Sequence, residues 1–139
     1  MSNEIKLIPY DEKYLDKFQY NGVEQTAAED FNINEVIKNY AQLGGSYMLI
    51  ENEKLIGVGG IFSLWGDLGQ AWVFLNKEVK QHKKFVFKAI KEYVLEAKKN
   101  YTQIQILCLV GSVEVGNLVE HLGFEPREVY KRYIIKGDK

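Results

Sequence analysis

Apolar residues recur along the chain at two spacings, one typical of strands and the other of helices. In the first half, helical spacing predicts one helix over Tyr10–Tyr20 and a second that begins at Ile33 and stops before Gly44. Shorter apolar runs separated by turn residues predict a strand before the helices and three strands after them. The predicted strands are Ile5–Ile8, Ser46–Glu51, Leu55–Leu64 and Ala71–Leu75, with turns over Asn52–Lys54 and Trp65–Gly69.

The second half of the chain alternates helix and strand. The segment Lys83–Lys99 has the strongest helical pattern, with an apolar stripe on one side and lysines over much of the rest. A buried strand is predicted over Gln103–Val110, then a helix capped by Ser112, and finally a strand over Val129–Ile135. The order β-α-α-β-β-β-α-β-α-β predicts an α/β fold, with an α+β mixed sheet and helices on both faces, because crossover helices join parallel strands.

Composition narrows the classes of protein that fit this pattern. The 139 residues are 46% hydrophobic and 27% charged, which favours one globular domain over residues 1–139. A net charge of -1 argues against a dedicated nucleic-acid binder, and no run is apolar enough for a membrane span. A single cysteine, Cys108, and no apolar leader favour a reducing, cytoplasmic location.

Charge is distributed unevenly along the chain. The segment Glu4–Glu35 has a balance of -5, from eight acidic residues and three lysines. The segment Lys77–Asn100 has a balance of +5, from eight lysines and three glutamates. Two solvated faces of opposite sign explain this, and so does a pair of sites, one for a cationic and one for an anionic ligand.

The ending of the last predicted helix carries a family resemblance. Leu118 is followed by Leu122-Gly123-Phe124, and the strand of the first hairpin contains Leu55-Ile56-Gly57. With the order of elements, these residues resemble the N-acetyltransferase superfamily called GNAT, and compact phage-encoded GNAT-like proteins are similar in size and ending. The resemblance covers nearly the whole chain and implies the GNAT acyl-CoA N-acyltransferase fold.

The chain departs from the family at two functional positions. Family members hold the coenzyme A pyrophosphate on a glycine-rich loop before the long helix, whereas Glu78–Lys84 contains no glycine. The family's tyrosine, which in many members protonates the departing thiolate, is Val119 here. Two outcomes stay open: lysine side chains replace the backbone contacts to phosphate, or coenzyme A is not bound at all.

The resemblance implies acetyl-CoA as the cosubstrate and indicates where it binds. The backbone of Ala71–Leu75 corresponds to the strand that pairs with the pantetheine arm and polarises the thioester oxygen. An ordinary central strand has the same pattern. The residues expected to contact the cosubstrate are Trp72, Val73, Phe74, Leu75, Lys80, Gln81, His82, Lys83, Lys84 and Ser112.

Catalytic candidates come from the same comparison. In the family the first two helices line the acceptor site, so Glu24 or Glu29 is a candidate base for an amine, and a solvated loop is the alternative. Ser112 is either a helix cap only or a hydrogen-bond partner of the thiolate. Tyr130 either replaces the missing acid or packs in the core. No cluster of metal ligands surrounds the only histidines, His82 and His121, so no metal site is predicted.

Two functional hypotheses follow from these residues. The first is an acyl-CoA-dependent N-acyltransferase, more narrowly an N-acetyltransferase, acting on a small-molecule or peptide amine. The second is a catalytically inactive GNAT-like binding or structural protein, such as a phage virion or accessory protein, which would then be virion-associated. Because only fifteen residues follow Phe124, a terminal strand is expected to be missing or very short. An open sheet edge would favour a homodimer or pairing with a partner strand, which the molar mass in solution tests.

Overall fold

The described part of the chain contains five strands, two helices and two short 3-10 turns. The computed structural model describes residues 5–15, 33–76, 79–106, 117, 119–125 and 135–138, with the side chain of Lys80 outside this set. The strands are β1 (Ile5–Pro9), β2 (Gly45–Glu51), β3 (Lys54–Trp65), β4 (Leu68–Leu75) and β5 (Gln103–Ile106), the helices are α1 (Ile33–Ala41) and α2 (Lys83–Ala97), and the 3-10 turns are Glu12–Tyr14 and Val79–His82.

These strands form one mixed sheet in the order β1-β2-β3-β4-β5. Neighbours from β1 to β4 are antiparallel and are joined, after β2, by tight turns. The pair β4–β5 is parallel, from Leu68 opposite Gln103 to Ala71 opposite Ile106. A parallel pair requires a crossover, and α2 supplies it. The interior position of β4 confirms the prediction that its apolar run is central.

Side chains alternate between the two faces of the sheet, and each face has its own core. On the first face, Met48 and Ile50 pack with Ile37 of α1. On the second face, Leu49 and Leu75 pack with Val86 of α2. Burial of apolar side chains on both faces stabilises the sheet and confirms the predicted helices on either side.

The hairpin between β2 and β3 has a two-residue loop. Asn52 and Glu53 both have positive φ, at 49° and 65°. This pattern belongs to a type I′ turn, whose twist matches that of the strands. Asparagine tolerates the left-handed region well, but a glutamate Cβ approaches the following carbonyl oxygen. Glu53 therefore holds the turn in a strained conformation.

Replacing this strained residue is expected to stabilise the protein. We expect Glu53→Gly to raise the free energy of unfolding by about 1 kcal/mol, since the Cβ contact disappears. Urea unfolding measures the change. Glu53→Ala is the control: it removes the carboxylate, 3.5 Å from the Tyr14 hydroxyl, but keeps the Cβ. Equal stabilisation by both variants would assign the effect to the carboxylate and contradict the backbone argument.

Two predicted elements have different bounds in the structure. The turn predicted over Trp65–Gly69 consists of Gly66 and Asp67 alone, because Trp65 already pairs with Leu68 across the hairpin. The described start of the helix predicted over Tyr10–Tyr20 is a 3-10 turn that begins at Glu12, because the Tyr10 N–H donates to Ser46 O at 3.0 Å and extends the strand pairing.

The C-terminal predictions are described only in part. Residues 16–20, 107–110 and 126–134 lie outside the described set, so the later part of the first predicted helix, the end of the strand Gln103–Val110 and most of Val129–Ile135 are not assessed. The described residues of the last predicted helix are helical at Asn117 and from Val119 to His121. Among the described helices, none combines the length and apolarity needed to cross a membrane.

Candidate functional site

Strand β4 carries four of the residues predicted to contact a cosubstrate, and they alternate between the faces of the sheet. Trp72 and Phe74 face the core beneath α1, while Val73 and Leu75 face α2. Trp72 and Leu75 are 6% and 1% exposed. Their side chains are core residues, so β4 has mainly its backbone to offer a ligand. The described pairing with β5 ends at Ala71, and residues 107–110 lie outside the described set.

Asn76 links the end of β4 to the start of α2. Its N–H donates to Ile56 O at 2.7 Å, and its Nδ2 donates to Leu55 O at 3.1 Å. Its own carbonyl accepts from Val79 N at 3.0 Å, which begins the 3-10 turn. The residue is 1% exposed. Sequence reasoning missed Asn76, although a polar residue directly after an apolar strand is a usable signal.

The start of α2 lies at the carboxyl end of β4, as the crossover requires. Gln81, Lys83 and Lys84 are exposed there, and neither lysine pairs with a carboxylate in the described part of the chain. The Lys83 ammonium lies 5.5 Å from the centre of the Phe87 ring, a cation–π contact. For Lys80 the structure describes the backbone only, within the 3-10 turn. The residues present fit an anion through exposed ammonium groups rather than through a glycine cradle.

A carboxylate lies beside this basic helix start. His82 Nε2 is 3.3 Å from Glu51 Oε1, and the two side chains are only 18% and 14% exposed. His82 has no side-chain capping bond to the helix. The histidine predicted to face a phosphate therefore faces an acid at the end of β2, and the acid weakens the positive potential at this corner. The sequence pattern did not indicate Glu51, because the strands β3 and β4 separate it from His82 along the chain.

Tyr10 places a buried hydroxyl on the face of the sheet that α1 covers. Its oxygen is buried and has no hydrogen-bond partner within the described ranges. Burial, followed by the negative charge of Glu12, raises the pKa of this hydroxyl above its ordinary value. The phenol is protonated at neutral pH, as an ordinary tyrosine is, and is available as a donor. Sequence analysis placed Tyr10 at a helix start and gave it no role.

The four predicted catalytic residues are not among those that the structure describes. Glu24, Glu29, Ser112 and Tyr130 all lie outside the described residues, so their roles stay predictions. The predicted absence of a metal site also stays a prediction. Within the described ranges, the search for three or more His, Cys, Asp or Glu side chains placed to share a metal ion finds none.

Comparison with known proteins identifies the fold. No model of a protein family and no curated protein matches the sequence. Solved structures do match: a GNAT-family acetyltransferase from Staphylococcus aureus Mu50 has a TM-score of 0.67 at 15% identity, covering 91% of this chain and 87% of that one. The predicted fold is thereby confirmed.

Two further similar structures contain a ligand. A GNAT-family acetyltransferase from Elizabethkingia anophelis with acetyl-CoA bound has a TM-score of 0.63 at 18% identity, covering 89% of this chain and 78% of that one. An acetyltransferase from Bacillus subtilis in complex with CoA has a TM-score of 0.61 at 18% identity, covering 97% and 90%. At these identities the likeness concerns the fold, and the chemistry of a site has to be argued from its own residues.

Proposed function

We propose that this chain, which has the fold of GNAT-family acetyltransferases, is an acyl-CoA-dependent N-acyltransferase. One observation supports this best: Lys83 and Lys84 stand exposed where α2 begins, at the carboxyl end of the central strand β4, and neither pairs with a carboxylate among the residues that the structure describes. In sheets with parallel crossovers, ligands bind outside the carboxyl ends of the strands. Ammonium groups at that edge suit the phosphates of a nucleotide cosubstrate.

The proposed reaction is direct transfer of the acyl group to an amine. The neutral amine attacks the thioester carbonyl carbon, the C–N bond forms, and the C–S bond breaks to release a thiolate. One amine proton passes to a base and a proton reaches the thiolate, so the products are an amide and a free thiol. Glu24 or Glu29 is the proposed base, and Ser112 or Tyr130 the proposed partner of the thiolate. The acceptor is a small-molecule or peptide amine, and acetyl-CoA is the proposed donor.

The second candidate function is a binding or structural protein without catalysis, for which a virion is one proposed setting. The observation that favours it is the carboxylate of Glu51, 3.3 Å from His82, beside a helix start that lacks glycine. A negative charge there opposes a pyrophosphate. The two candidates therefore differ in one measurable property, which is the affinity for coenzyme A.

Calorimetric titration with acetyl-CoA tests the proposal. We expect micromolar binding that weakens with added salt, because exposed charges are screened. The double variant Lys83→Ala with Lys84→Ala should bind at least about tenfold more weakly, since contacts to charged groups contribute about 1.5–3 kcal/mol each. Lys88→Ala with Lys91→Ala is the matched control, because it removes the same charge from exposed positions of the same helix.

The variant Glu51→Gln is expected to change acetyl-CoA binding in the opposite direction. Removing the acid should tighten acetyl-CoA binding about threefold, because an opposing charge leaves the helix start. No heat at millimolar ligand, or equal weakening by the two double-lysine variants, would overturn the proposed phosphate site and favour the protein without catalysis.

A further inference from the structure

A cavity of about 70 Å³ lies between α2 and the sheet, on the face opposite α1. Its floor is formed by Gly57 and Gly59 of β3, which stand between Leu49 on one side and Val73 on the other. Its roof includes Ala89 of α2. Small residues thus face one another across the gap between helix and sheet.

The cavity is fixed by the backbone of the sheet. A Cβ at Gly59 would lie 2.6 Å from the carbonyl oxygen of Trp72, and a Cβ at Gly57 would lie 3.1 Å from Leu75 Cδ2. A side chain at position 59 would need the neighbouring strand to shift, which a close-packed sheet resists, whereas one at position 57 would need only the Leu75 side chain to move slightly. The cavity therefore exists because β3 has glycine at these positions. A larger side chain on α2, the roof, can fill it.

The chemistry of the lining selects an apolar occupant. Among the described lining residues, Tyr47, Trp72 and Tyr93 alone carry polar side-chain atoms, and the Trp72 side chain packs in the core on the other face of the sheet. The Tyr93 hydroxyl donates to Gly45 O at 3.1 Å, and the ring of Tyr47 packs edge-on against Tyr93 at 5.4 Å. A water molecule needs two to four polar partners, whereas a dry apolar cavity binds hydrocarbon.

Solvent reaches the lining at the β1–β2 side of the cavity. Leu7 of β1 and Tyr47 of β2 both line it, and they are 52% and 38% exposed. On this side the apolar lining is therefore continuous with apolar surface that is exposed to solvent. A ligand can therefore enter from this side and leave its polar end in water.

We propose that this cavity binds the unbranched hydrocarbon end of a small amphipathic molecule, such as a fatty acid or fatty acyl group. A cavity that holds benzene measures about 150 Å³, so a space half that size suits a few methylene groups better than a ring. The covering helix leaves no room for a peptide segment. This site does not depend on the proposed transferase activity, because it needs no coenzyme A.

Methyl NMR titration of the intact protein with sodium octanoate tests the site. We expect saturable shifts of the Leu49, Val73 and Ile90 methyl groups, and weaker binding of benzene. Ala89→Leu fills the cavity from the roof and should weaken octanoate binding at least about tenfold. Lys91→Leu, which adds the same side chain on the exposed side of α2, should bind as the wild type does.

Thermal unfolding of the same variants distinguishes a filled cavity from a destabilised protein. Ala89→Leu should keep or raise Tm, since filled cavities stabilise proteins. If it lowers Tm, Ala71→Val, which also faces the cavity, takes its place. Unchanged octanoate binding in the filled variant, or tighter binding of benzene than of octanoate, would overturn the proposal. The double Lys83 and Lys84 variant should bind octanoate normally, so failure of the transferase proposal leaves this test intact.

Discussion

Replacing Gly60 with alanine is expected to lower the free energy of unfolding by about 3 kcal/mol. Gly60 of β3 is buried and pairs with Ser46 of β2. A Cβ there would overlap the carbonyl oxygen of Gly45 and lie 3.1 Å from Ser46 Cα. Both contacts are backbone atoms of the adjoining strand, so no side-chain rotation relieves them. The strands have to separate locally, with loss of ladder hydrogen bonds.

The neighbouring glycine is the matched control for this variant. A Cβ at Gly45 would lie 3.6 Å from the Tyr93 hydroxyl, its nearest neighbour, which is an ordinary van der Waals contact. Gly45→Ala should therefore change the free energy of unfolding by less than about 0.5 kcal/mol. Urea unfolding of both variants measures the difference. Similar values for Gly60→Ala and Gly45→Ala would show that the sheet adapts and that close approach is not what requires glycine at position 60.

Replacing Asn76 with alanine is also expected to cost about 3 kcal/mol of unfolding free energy. The variant keeps both backbone hydrogen bonds of residue 76 but removes the Nδ2 donor from Leu55 O. The site is 1% exposed, so water cannot replace the donor without a structural change. An unsatisfied buried carbonyl adds its desolvation penalty to the lost contact and to the lost packing.

Replacing an exposed asparagine is the control, because it removes a side-chain amide without leaving a buried carbonyl unsatisfied. Asn39 of α1 is exposed, and Asn39→Ala should stay within about 0.5 kcal/mol of the wild type. Denaturant unfolding followed by circular dichroism measures both. A loss below about 1 kcal/mol for Asn76→Ala would mean that Leu55 O finds another donor, and that the side-chain hydrogen bond from Asn76 to β3 contributes little to stability.

Local apolar patterns explain why much of the fold could be predicted from the sequence. The stripe on Lys83–Lys99 corresponds to α2, where Val86 and Val94 are buried. The apolar run of Ala71–Leu75 corresponds to the interior strand β4. In each case, residues close in sequence report burial of one face, so spacing alone carries the information.

Pairing between distant segments explains what the sequence did not predict. The turn after β3 is shorter than expected because Trp65 and Leu68 pair with each other, and Leu68 is also held by Gln103 of β5. Glu51 and His82 meet because the end of β2 lies beside the start of α2. Such contacts depend on sheet register, which no local pattern reports. The predicted catalytic residues lie outside the described ranges and stay predictions.

The two polar contacts between β2 and α2 have a mechanical consequence. The Tyr93 hydroxyl touches one end of β2 at Gly45, and His82 touches the other end at Glu51. Strand and helix thus run side by side over about 17–20 Å and are pinned at both ends. Because the two contacts hold the helix near each of its ends, they restrain the spacing between α2 and β2 on either side of the cavity.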